Sequence, residues 1–307
     1  MRMGNIVLEK DDELKEKMDE FIFLKQTQGK SERTMGDYRK ELGKFYDASS
    51  KKMDEGVLKS DCVFYFSTLP TTSSAVYNRP YSCLNAFFNY CVRNDYLRYN
   101  PLIKGEIKKK KDDSNITAAD MDDVKKLLSV CDKRTYTGYR NYCIILLMID
   151  TGIRTSELVR LRDCDFQKDK IIISADICKT RTSRTLYLSS STSSAIGKLV
   201  KVKNGFSPYL FASREGKELD TNELSREFRK LSEKAGVKIT PYQLRHTFAT
   251  ICVERGINIF YLQQLMGHSD IAMTKRYTDI NGKELEAAHS SFSPISLLEE
   301  RKRIGRI

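Results

Sequence analysis

The sequence predicts a mostly α protein with one small β-sheet, which is an α+β fold, divided into two domains. Apolar residues recur at helical spacing along most of the 307-residue chain. The stretch 170–189 instead carries β-branched and apolar residues on both sides of a polar centre, which is the pattern of a β-hairpin. A charged segment without periodicity, residues 104–115, separates two parts that are each long enough to bury a core.

The first part, residues 1–103, has the pattern of a compact helical domain. Leu14, Met18 and Phe21 lie about one helical turn apart near its start. Pro101 ends the pattern, because proline disfavours helix at the residue before it. Two more amphipathic segments lie between these points, the first with Ser31 as its predicted N-cap, and their apolar faces are Met35, Tyr38, Leu42 and Phe45, and Tyr81, Leu84, Phe87, Phe88 and Cys91.

The basic linker predicted over 104–115, KGEIKKKKDDSN, contains four consecutive lysines. Such a run is either solvated surface or a set of phosphate contacts, the second if the two domains wrap a duplex and the linker crosses close to it. For that second alternative, the candidate DNA-binding residues are Lys108, Lys109, Lys110 and Lys111.

The second part, residues 116–290, combines helices with the hairpin. It opens with an N-capped helix that has acidic residues in its first turn, followed by a buried helix that ends near Gly152. A tail, 291–307, carries an apolar patch and then a basic run. Further helices are predicted over 154–166, 221–236, 240–256 and 258–268.

The charge balance bears on the kind of partner. There are 53 lysines and arginines against 41 acidic residues, a formal net charge of +12. An excess of this size favours a polyanionic partner, most simply nucleic acid. A basic protein without a charged partner is the alternative that composition leaves open.

Several function classes are disfavoured. The eight cysteines are scattered without a CxxC pair, and the three histidines lack ligand-like spacing, so we expect reduced thiols and no metal site. There is no GxxxxGK[ST] loop or acidic metal cluster, so no cofactor is predicted. The N-terminal segment has no apolar core of signal-peptide length, and the longest apolar run, 143–149, is too short for a bilayer. We expect a cytoplasmic protein that does not bind membranes.

Tyr277 raises the question of covalent catalysis. A tyrosine phenol has a pKa of about 10, so it needs activating neighbours to act as a nucleophile. Attack on a phosphodiester also needs cationic donors, for which arginine forks are best suited. Arginines do occur in suitable local contexts: Arg154 follows a glycine at a helix start with Glu157 one turn on, and Arg245 with His246 lies early in another helix after a proline.

The order of these segments resembles the tyrosine recombinases, the site-specific integrase family of phage integrases, transposon recombinases and chromosome-dimer resolvases. The resemblance rests on TGIRTSEL, a hairpin lysine, an arginine-histidine pair and LMGHSDIAMTKRYT, and it extends over about 115–285. Residues 1–103 are more weakly similar to the family's helical core-binding domain. The series in chain order is Arg154, Lys179, Arg245, His268 and Tyr277.

The resemblance implies a role for each of these residues. Tyr277 would attack the scissile phosphate and form a 3′-phosphotyrosyl bond. Arg154 and Arg245 would clamp the non-bridging oxygens, and His268 would hydrogen-bond the phosphate. Lys179 would protonate the departing 5′-oxygen as general acid.

Three neighbours have supporting roles in this interpretation. Glu157 would brace Arg154, and His246 would pack against or support the site. Arg184 shares the hairpin with Lys179, but a guanidinium cannot readily release a proton, so Lys179 is the predicted acid and Arg184 a predicted DNA contact.

Tyr242 departs from the family pattern, which has histidine at this position. A phenol can donate a hydrogen bond to a phosphate oxygen, but it is a much weaker base than imidazole at neutral pH. We therefore expect Tyr242 to contact the phosphate without acting as general base, with slower cleavage as a consequence.

Each residue alone also has an ordinary structural explanation. Arg154 and Glu157 could form a helix ion pair, His268 could follow a helix C-cap, Tyr277 could pack in a core, and Lys179 could be solvated. The functional hypothesis depends on their coincidence in family order.

The resemblance further implies a homotetramer that exchanges strands between paired double-stranded sites through a Holliday junction, as in DNA integration by a mobile genetic element. The tail either frays or docks on a neighbouring subunit, and accessory directionality proteins are possible partners. Two alternatives are a type IB topoisomerase, with the same chemistry on one site, and a DNA-binding regulator that has lost cleavage.

Overall fold

The computed structural model describes residues 12–70, 73–111, 117–178, 182–203, 205–268 and 270–275. The chain divides into two compact units, Met1–Asn115 and Ile116–Ile307. Each unit buries its own cluster of apolar side chains. No helix within the described ranges is long and apolar enough to cross a membrane, and no group of residues there could hold a metal ion.

The first unit is helical throughout its regular structure. Its core contains several aromatic side chains, among which Phe21 packs edge-on against Phe87, and Phe45 packs edge-on against Phe88. Ser31 accepts a hydrogen bond from the Thr34 backbone N–H, which confirms the predicted N-cap. The helices are α1 (Glu13–Thr27), α2 (Glu32–Ala48), α3 (Glu55–Thr68), α4 (Ser74–Arg93) and α5 (Pro101–Lys104).

The lysine-rich segment is attached to the first unit as far as residue 111. The Asn78 side-chain amide on α4 donates to the Lys110 carbonyl at 2.9 Å, and its oxygen accepts from the Lys110 N–H at 2.9 Å. The Lys110 ammonium lies 4.4 Å from the centre of the Tyr77 ring, and Ile107 packs on the core. Lys108, Lys109 and Lys111 remain exposed.

The second unit is built around α7, a helix that is buried along most of its length because its residues are apolar on several sides. Its small antiparallel sheet contains the predicted hairpin, in which Ile171 lies opposite Leu186 and Ile173 opposite Arg184. A third, two-residue strand was not predicted. The elements are α6 (Met121–Ser129), α7 (Tyr136–Thr151), α8 (Thr155–Leu158), β1 (Phe166–Gln167), β2 (Lys170–Ile173), β3 (Arg184–Tyr187), α9 (Ser190–Lys203), α10 (Thr221–Ala235), α11 (Pro241–Glu254), α12 (Ile259–Met266) and α13 (Ile271–Lys275).

The helix predicted over 154–166 is much shorter in the structure, since α8 ends at Leu158. The backbone beyond Leu158 forms hydrogen bonds with a distant segment of the chain instead. The Leu161 carbonyl accepts from the Leu210 N–H at 2.8 Å, and the Asp163 N–H donates to the Pro208 carbonyl at 2.9 Å. This pairing with a distant segment competes with the local helical bonds, and helical periodicity in the sequence cannot reveal it.

Gly152 ends α7 in the left-handed conformation, with φ of +62°. A Cβ at this position would lie 2.4 Å from Cδ1 of Phe248 and 2.9 Å from Sδ of Met266. Glycine is therefore required twice, for its backbone conformation and for the close approach of α11 and α12.

We predict that Gly152→Ala destabilises the protein more than Gly236→Ala does. Gly236 ends α10 with φ of +66°, and the methyl group that alanine adds there would have nothing within 4 Å, so this variant incurs only the backbone strain of about 1 kcal/mol. The overlap at residue 152 should add roughly 1–3 kcal/mol. Urea unfolding of both variants measures the difference in the free energy of unfolding. Equal losses of stability in the two variants would contradict the close approach of α11 and α12 to Gly152.

Candidate active site

Arg154 stands at the start of α8, immediately after the turn formed by Gly152 and Ile153. Its Nη1 lies 3.0 Å from Oε1 of Glu157, and its Nη2 donates to the Gly267 carbonyl. The side chain is largely buried. One carboxylate oxygen and one backbone carbonyl thus hold the guanidinium in a fixed orientation.

Glu157 binds a second guanidinium, that of Arg184 on β3. Arg184 Nη2 lies 2.6 Å from Oε2 and Nη1 lies 2.9 Å from Oε1, so this fork engages both carboxylate oxygens. Glu157 is fully buried. Burial alone would raise the pKa of Glu157, but the hydrogen bonds and charges of Arg184 and Arg154 outweigh it and lower the pKa.

Arg245 projects from the second turn of α11 and is buried. Its Nη1 donates to the Gly152 carbonyl, and its Nη2 donates to the Met266 carbonyl at 2.8 Å. These carbonyls lie at the C-terminal ends of α7 and α12, where the helix dipole favours a positive charge. Arg245 therefore ties together the ends of two helices.

His268 links Arg245 to α13. Its Nε2 lies 2.9 Å from Arg245 Nη2, and its Nδ1 lies 2.9 Å from Oγ1 of Thr274, a fully buried residue. A guanidinium has only donors, so Nε2 must be the unprotonated acceptor. Nδ1 therefore carries the proton and donates a hydrogen bond to Oγ1 of Thr274. Burial, followed by the charges of Arg245, Arg154 and Arg184, lowers the pKa of His268 to about 4.

Gly267 explains why the histidine is preceded by glycine. It ends α12 with φ of +61°, and the His268 N–H donates to the Gln263 carbonyl at 3.0 Å. A Cβ on Gly267 would lie 2.9 Å from Cζ of Arg184 and 3.1 Å from Nη1 of Arg154. The pair therefore forms a helix C-cap and also lies against the arginine cluster.

A cleft of about 950 Å³ opens beside this cluster, within the size range of ligand sites. It lies between the hairpin and α12, with Arg184 and His268 in its lining and two exposed tyrosines at its edge, Tyr187 and Tyr261.

The sequence profile of the phage integrase family matches residues 118–284, more than half of the chain. The chain belongs to the phage integrase family. A tyrosine recombinase XerA from Pyrococcus furiosus is 30% identical over 282 residues, covering 89% of this chain and 92% of that protein. Family membership and this relative support site-specific DNA recombination by a tyrosine-type recombinase.

Two solved integrases share the fold. A Tn1549 transposon integrase in complex with a circular intermediate DNA aligns with a TM-score of 0.73 at 19% identity, covering 90% of this chain and 99% of that chain. A lambda integrase tetramer bound to a Holliday junction aligns with a TM-score of 0.69 at 15% identity, covering 87% and 77% respectively.

The structure brings together some of the residues that the resemblance to tyrosine recombinases selected. Arg154 with Glu157 and Arg245 with His268 form two bonded pairs, and both arginines also donate to backbone carbonyls at the end of α12. Lys179 and Tyr277 lie outside the described residues.

The remaining predicted site residues are distributed differently. Tyr242 is 52% exposed at the start of α11, one turn before Arg245. His246 is half-buried, and burial lowers its pKa. Lys108–Lys111 belong to the first unit, and Arg184, predicted as a DNA contact, has its guanidinium on Glu157.

Sequence reasoning missed two features of the candidate site. Thr274 was not singled out, although its hydroxyl is the hydrogen-bond partner of Nδ1 of His268, and its only sequence signal is its position close before Tyr277. The carbonyl acceptors of Gly152, Met266 and Gly267 have no side-chain signature, except that two of them are glycines at helix ends.

We predict that His268 titrates near pH 4 in the free protein. The folded pKa lies below the value of 6.5 for an unperturbed histidine, so between these values the unfolded chain binds a proton that the folded chain does not. His268 therefore contributes stability above pH 6.5 that is lost as the pH falls through about 4.

NMR can follow the imidazole signals of the three histidines as the pH is changed. The signal that disappears in His268→Gln belongs to His268, and the other two histidines serve as internal controls. An apparent pKa of His268 near 6.5 would contradict the arginine environment described here.

Proposed function

We propose that this chain recombines DNA by cleaving and rejoining strands through a 3′-phosphotyrosyl intermediate on Tyr277. The observation that carries the proposal is the convergence of Arg154, Arg245 and His268 at the ends of α7 and α12. Guanidinium groups fixed in this way can stabilise the charge that develops on a phosphate during transfer without reorganising at the moment of reaction.

The proposed reaction exchanges one ester for another. The Tyr277 phenol loses its proton to water, its oxygen bonds to phosphorus while the bond from phosphorus to the 5′-oxygen breaks, and Lys179 gives a proton to that 5′-oxygen. A phosphodiester and a phosphotyrosine are similar in energy, so the step needs neither ATP nor a metal ion. The roles of Tyr277 and Lys179 rest on their order in the family pattern.

A bound phosphate would compete for the donors that now contact carbonyls. Hydrogen bonds from a guanidinium to an anion are stronger than those to a neutral carbonyl. Arg245 Nη2, which now lies on Met266 and His268, would turn to the phosphate. The phosphate charge would also raise the pKa of His268, so that its Nε2 can become a donor to the same phosphate.

Tyr242 and the two supporting residues complete the proposed site. Exposure at the start of α11 leaves the Tyr242 phenol able to donate to a phosphate oxygen, while its weak basicity argues against proton abstraction. Glu157 orients Arg154, and His246 supports α11.

For the assembly we propose a homotetramer on two double-stranded sites, supported by the lambda integrase tetramer on a Holliday junction. Residues 1–103 and the lysines of the linker 104–115 would grip the DNA, and the tail 291–307 would dock on a neighbouring subunit. The proposed setting is the cytoplasm, on a mobile genetic element, with accessory proteins setting direction.

We predict that Tyr277→Phe abolishes covalent adduct formation on a nicked suicide substrate, because phenylalanine lacks the attacking oxygen. Tyr209→Phe is the matched control, since this partly exposed tyrosine of the same unit does not line the cleft and should keep wild-type adduct yield. Denaturing gel electrophoresis of labelled DNA measures the adduct.

Adduct that persists in Tyr277→Phe would refute the assigned nucleophile. Catalytic relaxation of a single-site plasmid by a monomer would favour the topoisomerase alternative. Wild-type protein that binds DNA but never forms adduct would favour the regulator.

We predict that replacing Lys108 and Lys111 by glutamine makes DNA binding less salt-dependent. Each lost phosphate contact lowers the slope of log K against log salt by about 0.9, so the double variant should lose roughly 1.8. The control is Lys125→Gln with Lys126→Gln, which removes the same charge from lysines paired with Asp122 and Asp123. Equal slopes for both double variants would count against the linker contacts.

A further inference from the structure

Arg184 is a third guanidinium in the cluster, and the proposed chemistry gives it no part. We infer that Arg184 is a positioning residue for Arg154: it occupies the bidentate side of Glu157, so that Arg154 is held by one carboxylate oxygen and keeps donors for the scissile phosphate. The inference rests on the proposed function, because it concerns how the same site binds its phosphate.

The contacts of Glu157 are shared unequally. Arg184 engages both oxygens, at 2.6 and 2.9 Å, whereas the Arg154 guanidinium reaches only Oε1, at 3.0 Å. The second oxygen, Oε2, also accepts from the Arg154 backbone N–H at 3.2 Å. The backbone bond fixes the carboxylate at the start of α8, and the Arg184 fork fixes its plane.

Without Arg184, the buried carboxylate of Glu157 would have Arg154 as its only arginine partner among the described residues. A buried carboxylate must be paired, and arginine pairs with it most strongly through two parallel hydrogen bonds. Arg154 would then turn a second nitrogen toward Glu157. That nitrogen would be withdrawn from the position where Nη2 now contacts the Gly267 carbonyl.

The charge balance points the same way. Arg154, Arg184 and Arg245 carry three positive charges against the one negative charge of Glu157, which leaves +2 around His268. Loss of Arg184 would leave +1, since Glu157 would neutralise Arg154. Positive charge that is already in place stabilises the phosphate during transfer. The loss of one positive charge should therefore lower the rate of cleavage more than the affinity for DNA.

A direct DNA contact by Arg184 fits the geometry less well. The side chain is 11% exposed and both Nη atoms lie on Glu157. Its Nε is buried and has no hydrogen-bond partner among the residues that the structure describes. The guanidinium also packs against Gly267, so moving it toward solvent would open the wall beside His268.

The test compares Arg184→Gln, Arg184→Lys, Glu157→Gln and the Glu157→Gln/Arg184→Gln double variant. Single-turnover cleavage of a nicked suicide duplex and the Kd for an intact duplex are measured for each. Arg229→Gln is the control, because it removes an exposed arginine that pairs with a glutamate on α10.

We expect Arg184→Gln to slow cleavage by about 10- to 100-fold, with duplex Kd changed by less than about 3-fold. Arg184→Lys should be intermediate, since it keeps the charge without the fork. In the Glu157→Gln background, Arg184→Gln should have a much smaller effect, because a neutral amide no longer draws Arg154 away.

A substrate with a methylphosphonate at the scissile position separates positioning of the arginines from a general structural role. The methylphosphonate lacks the negative charge that the arginines offset, so Arg184→Gln should slow its cleavage by a smaller factor than it slows cleavage of the phosphate. A residue with only a structural role would slow both substrates equally. A loss of the same size on both substrates would overturn the inference, as would a fall in duplex affinity that matches the fall in cleavage.

Folding is checked by thermal unfolding of each variant. If Arg184→Gln alone unfolds, the double variant decides, because it removes the charge of Glu157 together with its partner; cleavage by the double variant that is about 10-fold or more slower than cleavage by Glu157→Gln would overturn the inference. The two proposals fail differently. Wild-type protein without adduct refutes the proposed function, whereas wild-type adduct with unimpaired Arg184→Gln refutes only the inference about Arg184.

Discussion

Three guanidinium groups lie close together in a largely buried place, and their mutual repulsion must be offset for the fold to hold them. The protein offsets it in two ways. Glu157, fully buried, neutralises one charge and is shared by Arg154 and Arg184. Arg245 instead lies on carbonyls at the ends of α7 and α12, where the helix dipoles add partial negative charge.

The same constraint explains why two helices end in glycine at the site. Gly152 and Gly267 each adopt a left-handed conformation, which turns a terminal carbonyl toward an arginine, and at each a methyl group would overlap a neighbouring side chain. The helix ends are therefore part of the charge balance as well as of the packing. A substitution that lengthened either helix would remove an acceptor from an arginine.

Sequence patterns predicted the features that depend on local spacing. Apolar periodicity located α1, α7 and α11, and the β-branched pattern located the hairpin of β2 and β3. The helix α9, which begins in a serine-rich stretch, was missed because serine is a weak helix former and its apolar residues face a core formed by distant segments. Within the site, local context selected Arg154 and Arg245. The carbonyls that accept from Arg245 are 93 and 21 residues away in the sequence, and Arg184 is 27 residues from Glu157. Contacts at such separations follow from the tertiary fold, so residue type and spacing could not assign them.

The partners of the arginines differ in how readily an anion can replace them. A carboxylate matches phosphate in charge, so the bonds to Glu157 should survive phosphate binding, whereas bonds to neutral carbonyls should not. Arg154 has one bond of each kind, and can remain anchored while its second donor changes partner. Arg245 is held through carbonyls and through the unprotonated Nε2 of His268. In the proposed mechanism, Arg245 and His268 would therefore rearrange together when phosphate binds. Because Nδ1 of His268 is bonded to Thr274 on α13, three residues before Tyr277 in the sequence, this imidazole would link phosphate binding to the segment that carries the proposed nucleophile.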